Sequence, residues 1–158
     1  MRVGIGYDVH PFAGGREMWL GCVQIPSERG LLGHSDADVL AHAIADALLG
    51  AAALGDIGTH FPAEDPQWEG VPGFDLLAHV RAQLDGAGFA IVNVDGMVVM
   101  EEPRIGAHRD QMRARIGEAL GIDASRVGVK ATSNDRMGYI GRGEGAAAMA
   151  VALIEEAS

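Results

Sequence analysis

The fold is decided by the stretch from Ser35 to Leu54, which reads SDADVLAHAIADALLGAAAL. Alanine, leucine and isoleucine fill most of it, and these residues favour an α-helix. Ser35 followed by Asp38 resembles a capping box in which aspartate replaces the usual glutamate or glutamine, so the helix is predicted to begin at Ser35. Gly55 is expected to end it.

Strand and helix patterns are interspersed on both sides of this helix. Strands are predicted at Met1–His10, Met18–Ile25, Phe89–Met100 and Arg126–Ser133, and further helices at Phe74–Ala87 and Ile105–Leu120. The final segment, Glu144–Glu155, is ambiguous, because its alanines favour a helix whereas the alternation of Met149, Val151 and Leu153 suits a strand. We expect a single domain spanning residues 1–158, of the α/β or α+β class, with helices layered on a sheet.

The composition excludes several kinds of partner and site. The formal net charge of −10 argues against a nucleic-acid partner, because the phosphate backbone repels an acidic surface. Cys22 is the only cysteine, which excludes an intrachain disulfide and a cysteine-rich zinc site, and an unpaired thiol fits a reducing compartment. The N-terminus lacks a signal-peptide pattern, and the longest apolar run, Ala47–Leu54, is too short to cross a bilayer. We therefore expect a cytoplasmic protein with no membrane partner.

Asp8 and His10 form the first candidate site. Residues two apart on a strand point to the same face, so these side chains converge while Val9 points away. A carboxylate beside an imidazole suits a borderline metal such as zinc. The alternative is a solvated polar strand end.

The second candidate site is a polar stripe along the long helix, formed by His34, Asp38, His42 and Asp46. Steps of four residues keep neighbours in the series on one helix face. His42 can be an ordinary buried histidine with one hydrogen bond. The alternative is a metal ligand that Asp38 or Asp46 orients from one turn away.

Three protein ligands, Asp8, His10 and His42, would leave a fourth tetrahedral position open, as in a catalytic zinc site. His34 and Ser35 stand at the predicted helix N-terminus, where free N–H groups and the helix dipole favour a phosphate. Ser35 can equally be a plain N-cap.

The third candidate site is the run from Lys130 to Asp135, followed by a glycine-rich segment from Gly138 to Gly145. Small hydroxyl residues beside an acidic residue suit a diphosphate with a hard divalent cation, and Asp135 can serve as a Mg²⁺ ligand. Closely spaced glycines permit a tight backbone approach. The alternative is a glycine-rich turn between strands.

These segments match one family in order along the chain. The matching stretches are GYDVH at Gly6–His10, LLGHSDADV at Leu31–Val39, HAIADALLGAAALGDIG at His42–Gly58, NVD at Asn93–Asp95, VKAT at Val129–Thr132 and GRGEG at Gly141–Gly145. Through them the chain resembles the 2-C-methyl-D-erythritol 2,4-cyclodiphosphate synthases of the non-mevalonate isoprenoid pathway, over essentially its whole length.

The resemblance implies a homotrimer with active sites between adjacent subunits. The expected fold is α+β, with a mixed four-stranded sheet layered with helices and the three sheets packed inward around a threefold axis. Arg142 and Glu144 would line this axis, and the ambiguous final segment would be a strand of the inner sheet.

The resemblance also implies the ligands of the site. Zinc or a similar divalent metal would be bound by Asp8, His10 and His42, and a second ion, Mg²⁺ or Mn²⁺, by Asp135. His34 and Ser133 would be catalytic. The residues expected to contact the nucleotide diphosphate substrate are Asp8, His10, His34, Ser35, Asp56, Ile57, Gly58, Phe61, Asp65, Pro103, Arg104, Ile105, Gly106, Thr132, Ser133, Asp135, Tyr139 and Arg142.

The substrate contacts divide by the part of the substrate that they meet. His34 and Ser35 would meet phosphates, Asp56 and Gly58 the ribose, Pro103–Gly106 the cytosine, and Thr132 and Ser133 the diphosphate.

Some positions depart from the family pattern. Ala63 stands where the family usually has aspartate, and Asp135 where it has glutamate. Ser133, Tyr139 and Arg104 replace the usual threonine, phenylalanine and lysine. No departure removes a zinc ligand, so we interpret them as variation within the activity.

The implied reaction cyclises 4-diphosphocytidyl-2-C-methyl-D-erythritol 2-phosphate and releases CMP. Three other functions remain open from the residues: a zinc phosphohydrolase that uses a metal-bound water, a non-catalytic trimeric module that binds a nucleotide or an isoprenoid diphosphate, and a purely structural trimer.

Overall fold

The computed structural model describes residues 1–157 and has seven strands and five α-helices within them. The strands are β1 (Arg2–Gly14), β2 (Met18–Leu20), β3 (Val23–Ile25), β4 (Arg29–Leu31), β5 (Phe89–Val99), β6 (Val127–Thr132) and β7 (Gly145–Glu156). The helices are α1 (Val39–Ala51), α2 (Ile57–His60), α3 (Gly73–Gly86), α4 (Arg109–Leu120) and α5 (Gly138–Gly141). Short 3-10 turns lie at Pro66–Trp68, Gly106–His108 and Ala124–Arg126.

The α+β class is confirmed, with one strand more than expected in the sheet. Five strands are ordered β4-β1-β7-β5-β6, and only the β5–β6 pair is parallel. Strands β1, β7, β5 and β6 form the four-stranded sheet that was expected, and the three residues of β4 add a fifth strand at the edge next to β1. The final segment is a strand, as the resemblance implied.

The core lies between the sheet and a layer of helices. Helix α1 packs against β1 and β7, and α3 packs against α1 and α4. Almost all of α1 is buried, because it packs against the sheet on one side and against α3 on the other.

Two glycines of β1 allow this close approach. A Cβ at Gly6 would lie 1.9 Å from the carbonyl oxygen of Ala43, and one at Gly4 would lie 1.9 Å from that of Ala47. The even-numbered residues of β1 therefore face α1. Because the glycines remove side chains from this face, the backbone of α1 comes against the strand that carries Asp8 and His10.

The prediction of one strand from Met18 to Ile25 was wrong, because the segment is a hairpin of β2 and β3. Gly21 and Cys22 form its turn, with φ values of 59° and 63°. Positive φ at both central residues matches the right-handed twist of a two-residue hairpin. The turn's N–H groups donate to the buried carboxylate of Asp38, at 2.9 Å from Gly21 and 2.7 Å from Cys22.

The prediction that the long helix begins at Ser35 was also wrong. The N-cap of α1 is Asp38, whose carboxylate accepts a hydrogen bond from the N–H of Ala41 at 3.0 Å. The Ser35 hydroxyl instead accepts from the N–H of Ala37 at 3.1 Å in a local turn before the helix. The helix cap is therefore Asp38, and its carboxylate takes one of the free N–H groups at the helix N-terminus.

The sheet face opposite the helices is apolar and uncovered in the single chain. The side chains of Val3, Ile5, Tyr7 and Val9 on β1 and of Met149 and Val151 on β7 are 40% to 74% exposed. Such a contiguous apolar face is typical of an interface. The threefold packing itself stays a prediction.

No helix within residues 1–157 combines the length and the apolar character needed to cross a membrane.

Candidate active site

Three ligand atoms meet where β1 faces α1. The Oδ2 atom of Asp8 lies 2.9 Å from His10 Nε2 and 2.9 Å from His42 Nδ1, and the two nitrogens are 3.4 Å apart. A tetrahedral zinc with bonds of about 2.0–2.1 Å separates its ligand atoms by about 3.3 Å. The triangle therefore fits a metal ion with little adjustment. It is the one group of three or more such side chains within residues 1–157.

The other ring nitrogens of the two histidines have acceptors. His10 Nδ1 lies 3.0 Å from the carbonyl oxygen of Leu32, so the N–H must be on Nδ1 and the lone pair on Nε2. His42 Nε2 lies 3.0 Å from the Ser35 hydroxyl oxygen, which can accept an N–H from Nε2 and so leave the Nδ1 lone pair free for a metal. In these tautomers both lone pairs would be available to a metal beside Asp8. When the same nitrogens carry a proton, they donate to the Asp8 carboxylate instead.

The pKa values of Asp8 and of the buried His42 are shifted in opposite directions. Burial raises the pKa of Asp8, but hydrogen bonds from His10 and His42 and their charges outweigh it, and the pKa is about 2. Burial lowers the pKa of His42, but the hydrogen bond and the charge of Asp8 raise it by more, so that the pKa of His42 is raised overall. Asp8 is therefore an anion at neutral pH, ready to balance a cation.

The expectation that Asp38 or Asp46 orients His42 was wrong. Asp38 caps α1 and binds the β2–β3 turn. Asp46 Oδ1 accepts the N–H of Ile57 at 2.8 Å. The group that holds His42 is the hydroxyl of Ser35, which therefore lies beside the metal ligands although its predicted capping role is absent.

The segment predicted to contact the ribose lies against the same helix. Through its bond to Ile57, Asp46 attaches α2 to α1 one turn beyond His42. Asp56 caps α2 through the N–H of Thr59 at 2.9 Å. Asp65 caps the next 3-10 turn. Phe61 is 9% exposed and packs edge-on against Trp68, with ring centres 4.8 Å apart.

His34 is the remaining residue predicted near the triad. Its carbonyl oxygen accepts from the N–H of Gly70 at 2.9 Å, which fixes the backbone before Ser35, and its side chain is exposed.

A cavity of about 660 Å³ forms where β5 and β6 end. Among the predicted substrate contacts, those that line it are Pro103, Arg104, Ile105, Gly106, Thr132, Ser133 and Arg142. Four arginines surround the cavity: Arg29, Arg104, Arg136 and Arg142. In a chain of net charge −10, this concentration of positive charge suits an anionic ligand.

Asp135 and Tyr139 are not in the cavity lining, although the loop that carries Asp135 borders it. The hydroxyl of Tyr139 lies 3.0 Å from that of Tyr7 on the uncovered sheet face. This hydrogen bond raises the pKa of Tyr7. Arg142 also forms an ion pair with Glu144 at 2.7 Å.

The triad and the cavity stand at the same end of the sheet, on different strands. His10 pairs with Ala146 of β7, and Val99 pairs with Ala147. Strands about 4.8 Å apart place β5 about 10 Å, and β6 about 14 Å, from β1. Within a single chain the metal ligands and the cavity therefore lie on different strands, about 10 to 14 Å apart across the sheet.

Sequence reasoning missed four charged residues that line the cavity: Arg29, Glu101, Glu102 and Arg136. Arg136 lies between the two motifs singled out near Asp135, so its charge was a usable signal. Arg29 and Glu101 belong to no pattern, and only the tertiary fold brings them there.

Comparisons with known proteins agree with this geometry. Residues 1–155 match the model of the YgbB family. The 2-C-methyl-D-erythritol 2,4-cyclodiphosphate synthase of Chlorobium phaeobacteroides is 56% identical over 155 residues, covering 98% of each chain. That of Symbiobacterium thermophilum is 57% identical over 154 residues, again covering 98% of each. The structure of Plasmodium falciparum IspF in complex with CDP is 31% identical, has a TM-score of 0.86, and covers 99% of this chain and 97% of its own.

Proposed function

The chain belongs to the YgbB family, and from this premise we propose that it converts 4-diphosphocytidyl-2-C-methyl-D-erythritol 2-phosphate into 2-C-methyl-D-erythritol 2,4-cyclodiphosphate and CMP. The observation that carries the proposal is the triangle of Asp8, His10 and His42 in a chain whose relatives are synthases of this cyclic diphosphate. The enzyme would be a cyclising phosphorus–oxygen lyase.

The reaction is an internal displacement. An oxygen of the substrate's 2-phosphate attacks the β-phosphorus, the bond between that phosphorus and the bridging oxygen breaks, and CMP leaves with the bonding electrons. Because the nucleophile is already an anion, no strong general base is needed. Positioning and neutralisation of charge are what the protein must supply.

The triad supplies one part of this neutralisation. We propose zinc as its metal, since two imidazoles and one carboxylate leave the open fourth position of a catalytic zinc site. When bound, the ion polarises a phosphate oxygen and balances its charge. The chain's own contribution is orientation, because the carbonyl of Leu32 and the hydroxyl of Ser35 each lie 3.0 Å from the imidazole nitrogen that faces away from the metal position.

The cavity supplies the nucleotide site. We propose that the backbone of Pro103–Gly106 binds cytosine and that Thr132 and Ser133 bind the diphosphate, with Ser133 and His34 acting at the reacting phosphates. A single carboxylate, that of Asp135, would hold Mg²⁺ or Mn²⁺ together with substrate phosphates. The CDP complex of the Plasmodium protein supports a cytidine nucleotide as ligand.

We propose that the enzyme is a homotrimer in which the metal triad of one subunit works with the cavity of its neighbour. The uncovered apolar sheet face and the separation of the triad from the cavity both support this arrangement. Asp56, Ile57 and Gly58 would contact the ribose, with Phe61 and Asp65 behind them. We also propose a cytoplasmic location, which the unpaired buried thiol of Cys22 fits.

The test is ³¹P NMR of the purified protein with the substrate, Zn²⁺ and Mg²⁺. We expect CMP and a cyclic diphosphate in equal amounts. The same reaction in ¹⁸O-labelled water distinguishes cyclisation, which takes up no solvent oxygen, from hydrolysis by a metal-bound water. A linear, labelled product would replace the proposal with the hydrolase.

The ligand assignment has its own test. We expect H10A and H42A to lose zinc and turnover together, whereas H79A, which alters a histidine on α3, retains one zinc per chain. Full zinc content in H10A or H42A would overturn the assignment.

A further inference from the structure

The loop from Ser133 to Met137 has an unusual backbone. Asp135 and Arg136 have φ values of 50° and 60°, in the left-handed region that side chains with a Cβ rarely adopt. Two such residues in succession persist only where their surroundings hold them. This loop carries Ser133 and Asp135, on which the proposed function relies.

Glu101 holds the loop from the opposite wall of the cavity. It follows β5, and its Oε1 atom accepts hydrogen bonds from the N–H of Asn134 at 2.9 Å and from that of Arg136 at 3.1 Å. Neighbouring N–H groups around a left-handed turn form a concave nest that binds anions. Here the nest is filled by a carboxylate of the chain itself, through charge-assisted hydrogen bonds.

Glu101 lies between the two parts of the proposed substrate site. Glu101 lies two residues before Pro103, where the proposed cytosine segment begins, and it lines the same cavity. The backbone also joins the two walls, since the N–H of Met100 donates to the carbonyl of Thr132 at 3.0 Å. Glu101 therefore sets the distance between the segment proposed to bind cytosine, which begins at Pro103, and the Ser133–Met137 loop proposed to bind the phosphates.

We propose that Glu101 is a positioning residue that fixes the Ser133–Met137 loop for the β-phosphate and the second divalent ion. This proposal rests on the proposed function. It assigns Glu101 an acceptor role within the protein, in which it neither binds the metal nor transfers a proton. Because the nest is occupied, the substrate phosphates must be bound by side chains and ions of the cavity.

The experiment compares E101M, which is nearly the same size and lacks an acceptor, with E101Q, which keeps one oxygen for both N–H groups. E155M is the matched control: it removes the same charge near the far end of the sheet, where Glu155 pairs with Ala90. Thermal melting verifies that each variant folds. The readouts are turnover as a function of Mg²⁺ concentration and the calorimetric affinities for cytidine and for CDP with Mg²⁺.

We expect E101M to lower kcat about 10- to 100-fold, as displacement of reacting groups does, and to raise the Mg²⁺ concentration required. Its affinity for CDP should fall while its affinity for cytidine is unchanged. E101Q should stay within about threefold of wild type, because it keeps the acceptor. E155M should match wild type.

Equal CDP affinity and turnover in E101M and wild type would overturn the proposal. Loss in E101Q as complete as in E101M would also overturn it, because the charge would then be what matters. Failure of the proposed function itself appears in the wild type, as absence of turnover. The contrast between CDP and cytidine in the variants does not depend on that result.

Discussion

The hydroxyl of Ser35 shows how one side chain changes role between sequence and structure. The sequence suggested a helix cap, but the oxygen lies 3.0 Å from His42 Nε2 and also accepts the N–H of Ala37. It thus helps to orient the imidazole of a proposed metal ligand. Partners of this kind commonly affect metal affinity about 10- to 100-fold.

The prediction for S35A is a zinc affinity reduced about 10-fold or more, because His42 loses the hydrogen-bond partner that orients its imidazole. Competition with a chromogenic chelator measures it. S133A is the control, since it removes a hydroxyl from the cavity and should leave zinc affinity unchanged. Equal affinities for S35A and wild type would mean that Asp8 alone orients the imidazole.

Asp36 is the second residue with a measurable consequence. Burial, together with the charge of Asp38, raises the pKa of Asp36 to about 6, although the N–H groups of Gly73 and Asp38 oppose the shift. Since the pKa is raised from about 3.8, the folded state disfavours the anion. Stability should therefore fall as pH rises from about 4 to about 6, by at most about 3 kcal/mol.

For D36N we expect this part of the pH dependence to vanish, because an amide does not titrate. Urea unfolding of the metal-free proteins at pH 4, 5, 6 and 7 tests it. The stability of D36N relative to wild type should increase across this range, even if one hydrogen bond is lost at every pH. A constant difference would show that Asp36 titrates normally.

At the scale of elements, the close packing of β1 against α1 depends on two glycines of β1, Gly4 and Gly6. We predict that G6A is destabilised by about 3 kcal/mol or more, because its Cβ would lie 1.9 Å from the backbone of α1 and the helix must move. Zinc affinity should fall with it. G14A is the control on the same strand, since nothing lies within 4 Å of its Cβ. Denaturant unfolding of the two variants decides the matter.

Asp38 joins three elements through one buried carboxylate. It accepts from the β2–β3 turn at Gly21 and Cys22 and from the first turn of α1 at Ala41. We predict that D38A loses more than about 3 kcal/mol, since buried N–H groups left without acceptors cost about 1–3 kcal/mol each. D38N keeps one oxygen and should lie between D38A and wild type in chemical denaturation. A loss below about 1 kcal/mol in D38A would contradict this role.

These elements also show what the sequence could and could not predict. Spacing placed Asp8 and His10 on one face of a strand and His42 on an apolar helix, because local periodicity sets the direction of each side chain, but only the family resemblance joined the three as ligands of one metal. The hairpin turn at Gly21 and Cys22 was not predictable, because the carboxylate that stabilises it is supplied by Asp38 from another element. The positions of Arg29 and Glu101 in the cavity were likewise not predictable, because only the tertiary fold brings these residues there.

At the scale of the whole molecule, the two faces of the sheet have different tasks. One face meets the helices and carries Asp8 and His10, while the other exposes Ile5 opposite Val151. Because side chains alternate along β1, a change at Ile5 alters the uncovered face and leaves the metal ligands on the other side. Assembly and metal binding can therefore be separated by mutation.

We predict that I5E prevents formation of the proposed trimer, because Ile5 is 74% exposed in the single chain and an unpaired charge buried in the proposed interface would be costly. Sedimentation velocity should show the monomer. Zinc should still bind to Asp8, His10 and His42, whereas turnover should fall by at least about 100-fold, because the metal site is then separated from its neighbour's cavity. A82E, which adds the same charge to the exposed surface of α3, should remain trimeric and active. A monomeric I5E with full turnover would mean that each chain completes its own site, whereas a zinc-bound, inactive monomer would support an active site shared between subunits.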